Sequence, residues 1–312
     1  MNETLTIAVR FALYADLLVL TGWAAFGLHR PRRSRRGIEA VKSSRRWFAA
    51  GAGAGIIFSL LGLFATAASM ANLPVKALDK ESVDAVLMGT AFGTALIVRC
   101  AMLTLAVVAA LLLQRSAAFG WILAAASAIA AASLAWNGHG VADDGTAGWA
   151  HLFADVVHLL AAGFWVGALL ALIVLLFRPF RLMDAEHLTF SNEALAGFSG
   201  LGTIAVAAIL VSGLVNSWFL VGPGNIPSLW TTRYGWLLLA KIGLFGAMLG
   251  LAAANRFRLT PGLSAAIGRG KHREAVSALR RSLALEAGSA TVILAIVAWL
   301  GTLESPASAV AM

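Results

Sequence analysis

The chain of 312 residues is 60% hydrophobic and only 12% charged, with a mean hydropathy of +0.83. A soluble domain carries roughly twice that charged fraction, so the composition is that of a membrane domain. No linker or low-complexity tract divides it, and one polytopic domain over residues 1–312 is expected. A single cysteine, Cys100, excludes an internal disulfide and any paired-cysteine metal or redox motif. The net charge of +9 does not mark a nucleic-acid partner, because the basic residues fall between apolar segments.

Eight segments are long and apolar enough to span a bilayer, at about 20 residues each. They lie at about 5–28, 48–71, 86–113, 117–136, 149–177, 197–220, 234–255 and 283–303, with only Gln114, Arg115 and Ser116 between the third and fourth. The fold class is therefore an all-α membrane protein, a bundle of eight transmembrane helices. The first segment lacks a basic region before it, so a retained helix is expected rather than a cleavable signal, with no soluble domain preceding it.

Lysine and arginine set the orientation. They crowd the stretches 30–46 and 256–281 and recur at Arg115, Arg178 and Arg181. Asp79, Glu81, Asp84, Asp143 and Asp144 lie in the opposite loops, where the basic residues are only Lys76, Lys80 and Arg233. Both termini are expected in the periplasm of a cell whose inner membrane holds the chain. The basic loops themselves need no role beyond topology and contact with anionic lipid.

The fifth segment, from Trp149 to Leu170, carries His151, Asp155 and His158. Their i, i+4, i+7 spacing puts all three on one helical face. A charged group inside a bilayer costs about 2.5–3.5 kcal/mol on insertion scales, so such groups face a cavity, pair, or hold an ion. At about 1.5 Å per residue, Asp155 lies about 9 Å and His158 about 13 Å in from Trp149. His139 closes the fourth segment on the same side, and Asn216, Lys241 and Arg99 fall in the same half of the membrane. A polar cavity open to the periplasm follows from this bias.

Plainer readings exist for each residue. His151 with Trp149 fits an interfacial belt, and Asp155 with Lys241 fits a structural ion pair. Arg99 could neutralise Asp16 or Asp155 and cap helix carbonyls. Cys100 reads as a packing residue, and Met70 and Met88 are weaker ligand candidates, since thioethers suit copper(I) but also fill membranes. His29, His187 and His272 read as solvated loop residues. The three groups on the fifth helix require one explanation together.

Two stretches resemble the copper resistance protein D family of bacterial inner-membrane proteins. One comprises Gly138 and His139, the run from Asp155 to Ala161, and Trp165 to Gly167. The other comprises Ser212 to Asn216, Thr232 to Gly235, Leu239 to Lys241 and Asn255 to Phe257. With Thr90 to Gly93 and Arg99, the likeness covers about 90–301, while the first two helices resemble the family only in being apolar. The resemblance implies eight helices and copper moving from periplasm to cytoplasm. It also implies a separate periplasmic copper-binding partner of the CopC type.

The donor chemistry agrees with copper without requiring it. His139, His158 and His151, with Asp155 as ligand or orienting acceptor, suit either copper(I) or copper(II). No nucleotide-binding signature is present, so any transport is passive or coupled to an ion gradient, and no enzyme motif appears. Two other readings stand beside transport. A haem-binding redox protein needs axial histidines from facing helices, and His158 has no second deep histidine to match it. A copper-delivery or oxidase-assembly factor would bind the metal without moving it across.

Overall fold

A computed structural model of the chain describes residues 3–28, 35–137, 145–269 and 272–310. Among the described residues the regular structure is entirely helical. The helices are α1 (Glu3–Leu28), α2 (Arg35–Met70), α3 (Lys80–Gly89), α4 (Ala91–Leu112), α5 (Ala118–Ala132) and α6 (Gly145–Leu176). They continue with α7 (Ala185–Leu220), α8 (Ser228–Thr231), α9 (Arg233–Ala254), α10 (Thr260–Gly268), α11 (Arg273–Leu300) and α12 (Pro306–Val310). Eight spans are long and apolar enough to cross a membrane, and the chain is a multi-pass integral membrane protein. Exposed Trp121, Trp149, Trp218, Trp230 and Trp236 lie near span ends, as interfacial tryptophans do.

Several boundaries differ from the sequence expectation. The third segment is two helices, because Thr90 leaves helical geometry between them and caps α4 by accepting from the Gly93 amide at 3.0 Å. A Cβ on Gly93 would lie 2.1 Å from the Leu87 carbonyl oxygen, so the corner closes only around glycine. The sixth span begins at Ala185, where Asp184 caps it, twelve residues before the hydrophobic run. The seventh passes through a π-helical turn at Asn255–Leu259 and ends at Gly268. A polar start in the sixth span and a basic π-helical turn late in the seventh carry these extensions, which hydropathy does not register.

The centre of the bundle is the pairing of α1 with α6. A Cβ on Gly22 would fall 1.9 Å from the Gly163 carbonyl oxygen, and one on Gly167 would fall 2.3 Å from the Trp23 backbone nitrogen. Without a hydrophobic drive between helices in lipid, such small-residue contacts let backbones approach and supply dispersion energy.

Around that pair the chain repeats an arrangement. In the first half α1 packs on α2 and α5, and α4 on α5; in the second α6 packs on α7 and α11, and α9 on α11. Thr232 caps α9 by accepting from Gly235, as Thr90 caps α4. Nine residues beyond each threonine stands a cation, Arg99 in one case and Lys241 in the other. The halves differ at one seam. Whereas α2 packs along α4, α7 makes at most slight contact with α9, and the site lies on α6 beside this seam.

Candidate functional site

The site forms where α6 faces the gap between α7 and α9. Asp155, His158, Asn216 and Lys241 are all partly buried, as residues lining a crevice are. Asn216 donates from Nδ2 to Asp155 Oδ1 at 3.2 Å, and its own Oδ1 is buried with no partner. Lys241 lies within electrostatic reach of both Asp155 and His158 without closing an ion pair. The crevice therefore holds one carboxylate, one imidazole and one ammonium.

The tautomer of His158 follows from its partner. The Ser212 hydroxyl donates its single hydrogen to the backbone of its own helix, with Ala208 O at 2.5 Å. It can then only accept from His158 Nδ1, 3.0 Å away. In that arrangement the ring is protonated at Nδ1 and its lone pair is at Nε2. Gly213 leaves room for the ring, since a Cβ there would sit 3.4 Å from His158 Cε1.

His151 stands one step outward on α6. It is buried and stacked on Phe219 of α7, with ring centroids 4.8 Å apart and planes 6° apart. The only two tyrosines of the chain complete the surroundings. Tyr14 of α1 and Tyr234 of α9 are both buried within electrostatic reach of Asp155. Neither tyrosine belongs to a periodic polar face of its helix.

Arg99 is placed differently from the other polar residues. Fully buried on α4, it donates from Nε to Ser133 Oγ at 2.8 Å and from one terminal nitrogen to Ser133 O at 3.0 Å and Asn137 Oδ1 at 2.8 Å. It pairs with neither Asp16 nor Asp155; the end of the fourth span takes it instead. Its second terminal nitrogen is buried without a partner. Tyr14 lies within electrostatic reach of both Arg99 and Asp155, and so stands between them.

Other candidates fall outside this group. His139 lies outside the described residues. Met70 and Met88 are 64% and 75% exposed, on the outer surface rather than in the crevice. His187, expected to be solvated, is buried, with Nε2 2.9 Å from Leu175 O. Cys100 is half-buried and packs beside the apolar cluster of Leu63, Ala67, Val86 and Leu96. Among the described residues, no three His, Cys, Asp or Glu side chains converge as a closed metal cluster. The histidines are spaced along α6 as separate stations.

Models of two related families match the chain. Residues 1–149 match the copper resistance protein D-like N-terminal domain, and residues 192–300 match copper resistance protein D. The chain is 38% identical over 305 residues to copper resistance protein D of Pseudomonas syringae pv. tomato, covering 97% of this chain and 98% of that protein. It is 36% identical over 180 residues to copper transport protein CutJ of Bacillus subtilis (strain 168), 56% of this chain and 32% of that one. It is 31% identical over 171 residues to inner membrane protein YebZ of Escherichia coli (strain K12), 55% of each. No solved structure matches. The likeness thus extends over the first two helices, where no motif is legible. The chain belongs to the copper resistance protein D family.

Proposed function

We propose that the protein carries copper ions across the bacterial inner membrane, from periplasm to cytoplasm, with both termini in the periplasm. The relatives named for copper resistance and copper transport support copper as the cargo. The observation that carries the reading is His158, whose Nδ1 lies 3.0 Å from Ser212 Oγ, one turn along α6 from Asp155. A neutral imidazole with an open nitrogen is a transition-metal ligand, and copper heads the affinity order for such sites.

His139 joins His158 as a metal ligand, and His151 is the entry ligand. Metal handed between separate ligands is never trapped in a closed cage, which suits transfer more than storage. Asp155 lowers the cost of a cation at this depth. Lys241 holds Asp155 by charge and is displaced in effect when the metal arrives, since two cations near one carboxylate repel. A separate periplasmic copper-binding protein serves as the donor to His139. Haem gains no support from the arrangement: among the described residues His151 and His158 share one helix and His187 is turned to a backbone carbonyl.

The test is copper uptake into proteoliposomes of the purified protein, with metal content and visible spectrum read on the same sample. Wild-type protein should accumulate copper inside the vesicles. His158→Ala should abolish uptake while the protein stays folded, and His151→Ala should reduce it. Full copper binding in both His158→Ala and His139→Ala overturns the site. Binding without uptake in the wild type points to delivery, and a Soret band lost in His158→Ala points to haem.

A further inference from the structure

Seven residues beyond His158 on α6 stands Trp165, 3% exposed. Seven residues come within about 20° of two full turns and advance about 10 Å, so Trp165 continues the face of the copper stations toward the Arg178 end. Its ring meets Phe245 of α9 edge-on, with centroids 6.3 Å apart. Beyond this aromatic pair lies a polar group that the copper path does not use.

Glu286 of α11 is 3% exposed, Ser282 one turn before it 6%, and Asn255 of the π-helical turn 9%. Asn255 Nδ2 donates to Glu286 Oε1. Asn255 Oδ1 and Ser282 Oγ are buried without partners, and the Trp165 indole N–H lies close to the carboxyl without closing a hydrogen bond. Single π-helical turns inside long helices recur where side chains do functional work.

The charges on the elements packed against Glu286 lie elsewhere: Arg10 of α1 is at Gly301, beyond the far end of α11. Arg256 turns to Ser199 and Thr203 of α7, and Arg280 to the carbonyls of Leu176 and Arg178. Asp16 of α1 faces Gly51 and Gly55 of α2, Lys241 of α9 faces Asp155, and Arg258, Arg269 and Arg281 are exposed.

A bare carboxylate in an apolar interior with one donor and no counter-charge is unfavourable. A carboxylic acid is not, because its O–H can donate to the acceptors left open beside it. The oxygen-only donor set lacks the thioether, thiolate or imidazole that copper(I) prefers. We propose that Glu286 is a proton-binding site, the titrating member of a second polar compartment separated from the copper crevice by Trp165 and Phe245. The carboxylate takes one proton from water entering at the Arg178 end and returns it to water, with no other bond made or broken. That this proton is coupled to copper movement rests on the transport reading above; proton binding itself does not.

Infrared difference spectroscopy of the full-length protein in lipid, without copper, tests the site from about pH 4 to about pH 9, the range in which carboxyls titrate in folded proteins. The expected result is a protonated-carboxyl band that titrates, shifts in deuterium oxide, disappears in Glu286→Gln and persists in Asp16→Asn and Asp155→Asn. A spectrum of Glu286→Gln that keeps every titrating carboxyl band of the wild type overturns the proposal. Should Glu286→Gln fail to accumulate, Asn255→Ser removes the carboxyl's donor and should change the proton affinity of the same band about tenfold, one pH unit; an unmoved midpoint overturns it. Copper uptake measured in the same vesicles separates the two readings, since the band is seen whether or not copper crosses.

Discussion

Asn216 reaches from α7 to Asp155 on α6 and donates a hydrogen bond of 3.2 Å, while its own carbonyl oxygen is buried and unpaired. The amide thus fixes the carboxylate and leaves an oxygen acceptor beside it. Replacing Asp155 with Asn preserves shape but removes the charge. Copper affinity, measured by competition with a chromophoric chelator, should fall about 10–100-fold, the usual loss when a group that orients or supports a metal ligand is removed. Unchanged affinity would take Asp155 out of the site.

Ser212 makes a separate prediction. Ser212→Ala removes the acceptor that keeps the proton of His158 on Nδ1. The ring can then place its proton on either nitrogen, so part of the population presents no lone pair to the crevice. Copper affinity should fall about tenfold with little change in thermal stability. Nitrogen chemical shifts of the ring should show a mixed tautomer in place of one.

Arg99 should behave in the opposite way. Its three hydrogen bonds all tie α4 to the end of the fourth span. Charge-assisted bonds of this kind contribute about 1.5–3 kcal/mol each, and losing them strands buried acceptors. Arg99→Ala should therefore lower the unfolding midpoint in detergent strongly while the protein that remains folded binds copper with near wild-type affinity. A loss of affinity without a loss of stability would move Arg99 into the copper path.

The spans and the α6 face were legible because hydrophobic length and i, i+4, i+7 spacing are local properties. What the sequence could not show is which helices separate. The polar cluster lies beside a seam where α7 and α9 barely touch, whereas α2 closes on α4, and that contrast depends on contacts between distant segments. Which of its readings Arg99 takes was not legible for the same reason, since its partners Ser133 and Asn137 lie 34 and 38 residues away. Tyr14 was missed because one polar tip in an apolar run has no pattern, and Tyr234 was read only as part of the stretch from Thr232 to Gly235. His187 looked like a loop residue until α7 extended back to bury it.

Outside the membrane, Asp79 gives a pH-dependent prediction. Its side chain caps α3 by accepting from the Ser82 amide at 2.9 Å, and hydrogen bonds from the Ser82 side chain and amide hold its carboxyl below the usual carboxylate range. A lowered folded value means the cap's contribution is present above the ordinary value of about 3.9 and is lost as pH falls through the folded value. Amide exchange in Lys80–Gly89 should therefore accelerate, after correction for intrinsic rates, only in strong acid. Asp79→Ala should show fast exchange at every pH, and an α3 equally protected in Asp79→Ala would remove the cap from the account.

Gly167 tests the pivot on which the two halves meet. A Cβ at this position would lie 2.3 Å from the Trp23 nitrogen and 2.4 Å from the Gly22 carbonyl carbon. Both are backbone atoms of α1, so no side-chain rotation relieves the clash, and α1 and α6 must move apart. Inserting one extra carbon into a filled core costs about 1–3 kcal/mol, and separation here also forfeits the close dispersion contacts that hold helices together in lipid. Gly167→Ala should lower the unfolding midpoint by several degrees at least. Gly62 of α2 has nothing within 4 Å of its Cβ position, so Gly62→Ala is the control and should be neutral or slightly stabilising. Because Trp165 sits two residues before Gly167 on the same helix, the displacement should also disturb its contact with Phe245. Tryptophan fluorescence of Gly167→Ala should then shift relative to wild type and to Gly62→Ala. Equal midpoints for the two variants would mean that the α1–α6 crossing tolerates a wider spacing, and the close approach of Gly22, Gly163 and Gly167 would lose its structural role.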